Sequence, residues 1–385
     1  MRILQIVPSI ALVYGGPSQM VRGLSAALAH QGVEVTVLTT NSNGDTGQPP
    51  LEVPLNQPVQ VEGYNIRYFP CAPFRRYKFS IPLLNWLWNN ADEFDLAHIH
   101  ALFSPVSSFS AAIARQRQLP YILRPLGTLD PADLKKKKQL KQLYAQVLER
   151  PNLAGAAAIH FTSAEEARIS ERFGVTTQGL VLPLGVEPLP IDPGIPKSEA
   201  VPTILFMSRI EPKKGLEILI GALEQVLARG IQFQLVLAGS NAQDPSYEAQ
   251  IQTRIHNSPL AHHTHLPGFV TGDEKVKLLQ QADVFVLPSY YENFGIAVAE
   301  AMVAGVPVVI SKGVQIWPEV EQAQAGWVSS GDGNELAQLI EIALKSPEER
   351  HRRGQNAQKY ALKNYSWEAI SQHTIQAYQR ILAPD

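Results

Sequence analysis

Two carboxylates around a glycine set the first chemical question of this 385-residue chain. In "SYYENFGIAVAEAMVAGVPVVIS", which starts at Ser289 directly after "ADVFVLP", the pattern reads strand, loop, helix and strand. Gly295 falls where the helix should begin, and the open N–H groups of a helix start favour phosphate. Yet Glu292 and Glu300 flank the spot. From a helix start near Gly295, Glu300 lies about 7–8 Å along the axis, too far for two carboxylates that share one proton. A glycosidase-type pair at roughly 5 Å is compatible with the spacing, but would bury one member on a helix flank. Carboxylates are also strong acceptors for a vicinal diol, so acids on either side of a phosphate site suit sugar hydroxyls. The helix dipole favours a first-turn acid and accounts for Glu292, but not for Glu300.

Two further loops follow predicted strands. "SRIEPKKG" at 208–215 comes after "TILFM" and leads into "LEILIGALEQVL". Arg209 offers a planar fork and Lys214 a point charge, both suited to phosphate oxygens. Lys213 could stand in for Lys214, and the competing reading is a solvated basic loop paired with Glu211. "YGGPS" at 14–18 places Gly15 and Gly16 before a helix, where backbone can approach a ligand. An ordinary turn is the simpler reading of an isolated Gly-Gly.

The elements that must position these loops alternate. In the first half, "ILQIV", "VEVTVLTT", "LAHIHAL", "PYILRPL" and "AAAIHFTS" read as strands between helical patterns such as "SQMVRGLSAALAHQG" and "SSFSAAIARQRQ". Ser163 with Glu166 forms a capping box that opens "EEARISERFG". The alternation restarts with "TILFMS", "FQLVLAGS", "HHTHLPGF", "ADVFVLPS" and "GVPVVIS". Such alternation implies parallel, doubly wound sheets with ligands at the strands' carboxyl ends. We expect a Rossmann-like domain over 1–188, a linker over 189–200 around "IDPGIPKSEA", and a second Rossmann-like domain over 201–365. A C-terminal helix over 366–385 is expected to return to the first domain.

Composition bounds the class. With 45% hydrophobic and 18% charged residues, the chain can build sizeable cores and is not disordered. A net charge of −2 does not suggest a nucleic-acid binder. The single cysteine, Cys71, excludes an internal disulfide and fits a reducing compartment. "RILQIVPS" reads as a buried first strand rather than a secretion signal, and no run reaches about 18 apolar residues. The expectation is a cytoplasmic protein.

Taken together, "SRIEPKKG" and "ENFGIAVAE" resemble the signature of glycosyltransferase family 4 within the GT-B superfamily. "GGPS", "HIH" at 98–100, "PLGV" at 183–186 and "LPGFV" at 266–270 fall in that family's order, so the resemblance spans essentially the whole chain. It implies a metal-independent, retaining transfer from a nucleotide sugar, with no cofactor. By the same resemblance Arg209 and Lys214 bind the donor diphosphate, and Glu300 the ribose. Glu292, with the backbone amides of Asn293, Phe294 and Gly295, holds the sugar and distal phosphate. Gly16 approaches that phosphate from the other domain, with Gly15 beside it, and Gly268, Phe269 and Val270 cover the base. The sequence itself shows no Asp-x-Asp after a strand, and "HHTH" at 262–265 lacks metal-site spacing.

The chain departs from the family at "RPLGTLDP", where many members carry a histidine that contacts the donor sugar, and at Leu184, where many have asparagine. His100 could partly substitute; the alternative is a hydrogen-bonded core histidine. Arg124, at a strand end, would suit an acidic sugar such as a uronic acid, or the acceptor. Pairing with Asp130 or Asp133 is the simpler alternative. "LKKKKQLKQLYAQVLER", with lysines at 135–138 and Leu140, Leu143 and Val147 on one side, and "PFRRYKFSIPLLNWLW" at 73–88 could touch an anionic membrane that carries a lipid-linked acceptor. Solvated charge is the alternative. The expected function is transfer from a UDP-sugar, with glucose and glucuronate as candidates, to a glycan or glycolipid acceptor in polysaccharide synthesis. A nucleotide-sugar epimerase on the same fold is the alternative. A dinucleotide-dependent dehydrogenase is disfavoured, because no G-x-G-x-x-G follows the first strand.

Overall fold

A computed structural model of the chain describes residues 1–44, 48–72, 77–129, 142–189, 201–241 and 244–383. The chain divides into two compact units, Met1–Gly185 with Trp367–Asp385, and Val186–Ser366. Both are α/β, as the alternation of apolar runs and helical patterns implies. Most of the expected linker, 190–200, lies outside the described residues.

The first unit is built on β1 (Arg2–Ile6), β2 (Glu34–Thr40), β3 (Pro58–Val61), β4 (Tyr64–Phe69), β5 (Leu96–His100), β6 (Tyr121–Arg124), β7 (Ala158–Phe161) and β8 (Gly179–Val181). The sheet order is β3-β4-β2-β1-β5-β6-β7-β8, parallel except for β3 against β4. The β3–β4 hairpin turns at Glu62–Gly63, both at positive φ. The chain order reverses between β1 and β5, which pair from Ile3–Leu96 to Ile6–Ile99. A doubly wound sheet opens its binding crevice at such a point.

Helices cover both faces. On one lie α1 (Gly16–His30) and, below, the C-terminal helix; on the other lie α2 (Ile81–Asn90) and α3 (Pro105–Gln116). The turn α4 (Arg150–Gly155) packs beside α3, and α5 (Ala164–Ile169) follows β7. Ser163 Oγ accepts from the Glu166 N–H at 3.0 Å, so the predicted cap is present. The reciprocal arm differs: Glu166 accepts from Thr162 N–H and Oγ1, and α5 ends after six residues.

The second unit is built on β9 (Thr203–Met207), β10 (Gln234–Ala238), β11 (Thr264–Gly268), β12 (Val284–Leu287), β13 (Val308–Ser311) and β14 (Gly326–Ser329). Its parallel order is β11-β10-β9-β12-β13-β14, and the reversal lies between β9 and β12. Around it lie α6 (Leu216–Ala228), α7 (Pro245–His256), α8 (Gly272–Gln281), α9 (Ile296–Val303), α10 (Trp317–Gln322), α11 (Gly333–Lys345) and α12 (Pro347–Tyr365). Apart from the edge strand β11, the strands are near-continuous apolar runs because helices bury both faces.

The last helix, α13 (Trp367–Leu382), belongs to the first unit and packs on α1. Its Trp367 ring lies so close to Gly23 and Gly185 that a Cβ at either position would sit 2.2 or 2.1 Å from it. Tyr378, fully buried, sends its hydroxyl to the sheet. Among the described residues, no helix is long and apolar enough to cross a membrane.

Candidate active site at the second sheet's switch point

The two loops singled out for chemistry leave adjacent strands. β9 and β12 pair directly at Ile204–Val284 and Leu205–Phe285, so "SRIEPKKG" and "SYYENFG" emerge side by side at their carboxyl ends. Three contacts tie them together. Tyr290 N–H donates to the Lys213 carbonyl at 2.8 Å. Gly215, at φ +71°, presses on Pro288, and a Cβ there would lie 2.1 Å from the Pro288 carbonyl oxygen. Lys214 donates through Nζ to Glu292 Oε2. The Lys214 side chain is only 8% exposed, and Glu292 is 22% exposed. A buried ammonium needs such a partner, and a salt bridge with one face still open can meet a further anion.

Glu292 is itself fixed by the backbone. Its N–H donates to the Gly313 carbonyl at 2.8 Å, and its carbonyl accepts from Gln315 N–H at 2.9 Å. Gly295 then takes φ +79° and ψ 66°, a left-handed conformation that costs glycine least. It starts α9 without a side-chain cap. The helix therefore presents N–H groups and the positive end of its dipole beside the Lys214–Glu292 pair. Phe294 is 2% exposed and packs edge-on against Tyr365, so only its backbone can face a ligand.

The basic loop splits between its two sequence readings. Arg209, 58% exposed, and Lys213 both approach Glu211 Oε1, at 3.2 and 3.5 Å. They form the solvated cluster; Lys214 does not. Glu300, one and a half turns into α9, meets Lys275 of α8, with Nζ to Oε1 at 2.8 Å. Sequence reasoning missed Lys275, whose only signal was a cation in the first turn of a helix. Gly268, at φ +79°, ends β11, and its carbonyl accepts from Gly239 N–H at 2.7 Å. Phe269 is 74% exposed, whereas Val270 is buried. Only Phe269 of that pair offers a surface to a base.

The first unit's candidates sit differently. Gly15 caps α1 at φ +67°, and Gly16 is that helix's first residue, again with no side-chain cap. His100, read either as a strand-tip group that contacts the donor or as a core histidine, is fully buried and shares a hydrogen with Gln5 Oε1 at 2.7 Å. That is the placement of a core histidine. His98 contacts Tyr378 at 2.7 Å and His160 at 3.1 Å, and His160 contacts the Leu182 carbonyl at 2.8 Å. Burial holds all three imidazoles below their ordinary range, His160 down to about 3. They are therefore neutral at pH 7.

Arg124, expected to face a ligand, is 3% exposed. It borders a small cavity with Met20, Leu24, His160, Leu184 and Trp367. Desolvation lowers its guanidinium to about 10, and its Nε has no hydrogen-bond partner among the described residues. Asp130 and Asp133, its proposed partners, and the lysines at 135–138 lie outside the described residues. Of "HHTH", His263 contacts the Phe233 carbonyl at 3.2 Å. Among the described residues, no group of three or more His, Cys, Asp or Glu is placed to hold a metal ion.

Two doubly wound units, with the Lys214–Glu292 pair and an uncapped helix start at the carboxyl ends of the second sheet, fit the class of two-domain glycosyltransferases that use a nucleotide sugar, and the family matches place the chain there. Residues 191–360 match the family described as glycosyl transferases group 1, and residues 15–185 the glycosyl transferase 4-like domain. The chain belongs to glycosyltransferase family 4, with the GT-B fold. An uncharacterised glycosyltransferase of Methanocaldococcus jannaschii is 34% identical over 46% of this chain and 44% of its own length. A phosphatidyl-myo-inositol mannosyltransferase of Mycobacterium leprae is 25% identical over 99% of this chain and 97% of its own. HepE of Anabaena, solved with UDP-glucose, shares the fold at a TM-score of 0.72, with 18% identity, over 99% of this chain and 100% of that one.

Proposed function

We propose that the protein is a retaining, metal-independent hexosyltransferase that moves glucose from UDP-glucose to a glycan or lipid-linked acceptor in polysaccharide or glycolipid synthesis. The observation that carries this reading is the buried Lys214 ammonium, held by Glu292 beside the uncapped start of α9. In this reading the donor diphosphate meets Lys214, the α9 N–H groups and Arg209 swung from Glu211. Charge that grows on departing UDP is stabilised there by fixed dipoles and cations, the role a divalent ion would otherwise fill. Glu292 and the amides after it hold the sugar, Glu300 the ribose, and Phe269 the base.

Retention is supported by the state of the acids: Glu292 pairs with Lys214 and Glu300 with Lys275, so neither is a free general base. Glucose is preferred to glucuronate because Arg124 is enclosed in the first unit's core and presents no open guanidinium to a sugar acid. HepE was solved with UDP-glucose, which favours that donor. The mycobacterial relative is named for transfer to a phosphatidylinositol, which favours a lipid-linked acceptor.

The test is turnover of UDP-glucose, UDP-glucuronate and GDP-mannose with glycan and glycolipid acceptors in EDTA. Nucleotide release and the anomeric configuration of the product are the readouts. UDP-glucose should turn over unaffected by EDTA and yield an α-linked product. Equal turnover of UDP-glucuronate would restore Arg124 as a reader of acids. Preference for GDP-mannose would replace the donor, and a new UDP-sugar formed without acceptor would make the protein an epimerase.

Contact with an anionic membrane is part of the same proposal. Tyr77, Ile81, Trp88 and Phe109 are exposed on the first unit, as are Leu143 and Val147. In the sequence they border the cations at 75–78 and 135–138. Such apolar and basic surface together suits peripheral binding, cytoplasmic in location. Flotation with phosphatidylglycerol vesicles at low salt, lost at high salt, is expected; no flotation at low salt would remove this part.

A further inference from the structure

We propose that Lys275 is a positioning residue for the donor: its ammonium fixes one oxygen of Glu300 so that the other is presented to the nucleotide's ribose. The contact joins two helices, α8 and α9, at 2.8 Å, and both side chains are partly buried, at 29% and 19% exposure. Lys275 stands in the first turn of α8, near the positive end of its dipole, where a cation is locally disfavoured. Asp273 and Glu274 fill that turn in the favourable sense. Lys275 therefore gains from its partner and not from its own helix.

Geometry also divides the two carboxylate oxygens. Oε1 is taken by Lys275, and no other described donor reaches Glu300. Oε2 is left without a described donor, on a side chain that keeps 19% of its surface exposed. An ionised carboxylate accepts and cannot donate, so Oε2 selects a ligand hydroxyl over a ligand carbonyl. A carboxylate with one oxygen pinned also loses less rotamer freedom on binding than a free one. Both effects act on nucleotide affinity and leave the diphosphate, some way along α9, untouched.

The inference rests on the assignment of Glu300 to the ribose, so its experiment separates the two. Calorimetry first identifies which of UDP, GDP and ADP binds the wild type most tightly. That nucleotide, its 2′-deoxy form and its 3′-deoxy form are then titrated into the wild type, Glu300→Gln, Lys275→Met and Lys275→Arg. The wild type should prefer the ribonucleotide to at least one deoxy form by about tenfold or more, the size of one hydrogen bond to a charged group. Glu300→Gln should largely erase that preference. Lys275→Met should erase about half of it on a logarithmic scale while leaving deoxynucleotide affinity within twofold. Lys275→Arg should restore it.

Unchanged discrimination in Glu300→Gln would remove the ribose assignment, and the inference with it. Lost discrimination in Glu300→Gln with the wild-type ratio kept in Lys275→Met would overturn the role of Lys275 alone. Equal weakening of ribo and deoxy forms in Lys275→Met would mark the pair as only structural, and would also overturn it. Failure of all three nucleotides to bind the wild type would overturn both.

Discussion

At the carboxyl end of each sheet, where the chain order reverses, polar side chains gather, but the two gatherings differ in charge and in access to water. In the second unit they are ionised, paired and partly open: Lys214 with Glu292, Lys275 with Glu300, Arg209 with Glu211. In the first they are mostly neutral and closed. Gln5, His98, His100, His160 and Tyr378 hydrogen-bond one another at 0–3% exposure, with Arg124 beside them. One topology thus serves two ends. A closed, mostly hydrogen-bonded neutral network, here with His100 Nδ1 left unpartnered among the described residues, specifies a rigid core, whereas ion pairs with an open face can exchange partners for a ligand.

This contrast can be broken at either end. The largest effect expected is acid lability that originates in the first unit. His98, His100 and His160 have folded-state pKa values held below 6.5, whereas unfolded imidazoles take up protons near 6.5. The unfolded chain therefore binds more protons in this window, and stability must fall as pH drops below about 6.5. The slope approaches about 4 kcal/mol per pH unit if all three contribute. Urea midpoints at pH 7.5, 6.5 and 5.5 measure it. A flat midpoint across that range would mean that the imidazoles are not held neutral.

A smaller effect is expected at the second unit. Lys214→Met should lower kcat/KM about 10²–10³-fold, as when one preorganised electrostatic contact to a developing charge is removed. Circular dichroism should remain that of the wild type, because Glu292 keeps its backbone anchors to Gly313 and Gln315. Activity within threefold of the wild type would move the diphosphate elsewhere.

How much of this was legible beforehand follows from where each signal is stored. The β9 and β12 loops were readable because strand, special residues and helix start are contiguous in the chain. Arg209, Lys214, Gly215, Glu292 and Gly295 all lie within eight residues of a strand end. Their convergence followed from the parallel alternation. His100 was misplaced because its burial is decided from afar. Alternation puts His98 and His100 on one face of β5, but the face is closed by α1 and α13, and His98 meets a tyrosine 280 residues away. Lys275 carried no motif, since its partner lies 25 residues on and on another helix. The β3–β4 hairpin went unread because β3 is only four residues long and opens on a proline.

The central claim, that the second unit's ion pairs hold the nucleotide while the first unit's network holds the fold, is tested most directly by UDP titration into Lys214→Met and Tyr378→Phe beside the wild type. Each protein's thermal midpoint is recorded in the same preparation. Tyr378→Phe keeps the ring and removes only the hydroxyl that meets Gln5 and His98. It should lower the midpoint by about 2–4 °C, for a loss of about 1 kcal/mol, and leave UDP affinity unchanged. Lys214→Met should weaken UDP at least about tenfold, the loss of one charge-assisted contact. The reverse pattern, with affinity lost in Tyr378→Phe and kept in Lys214→Met, would contradict the account.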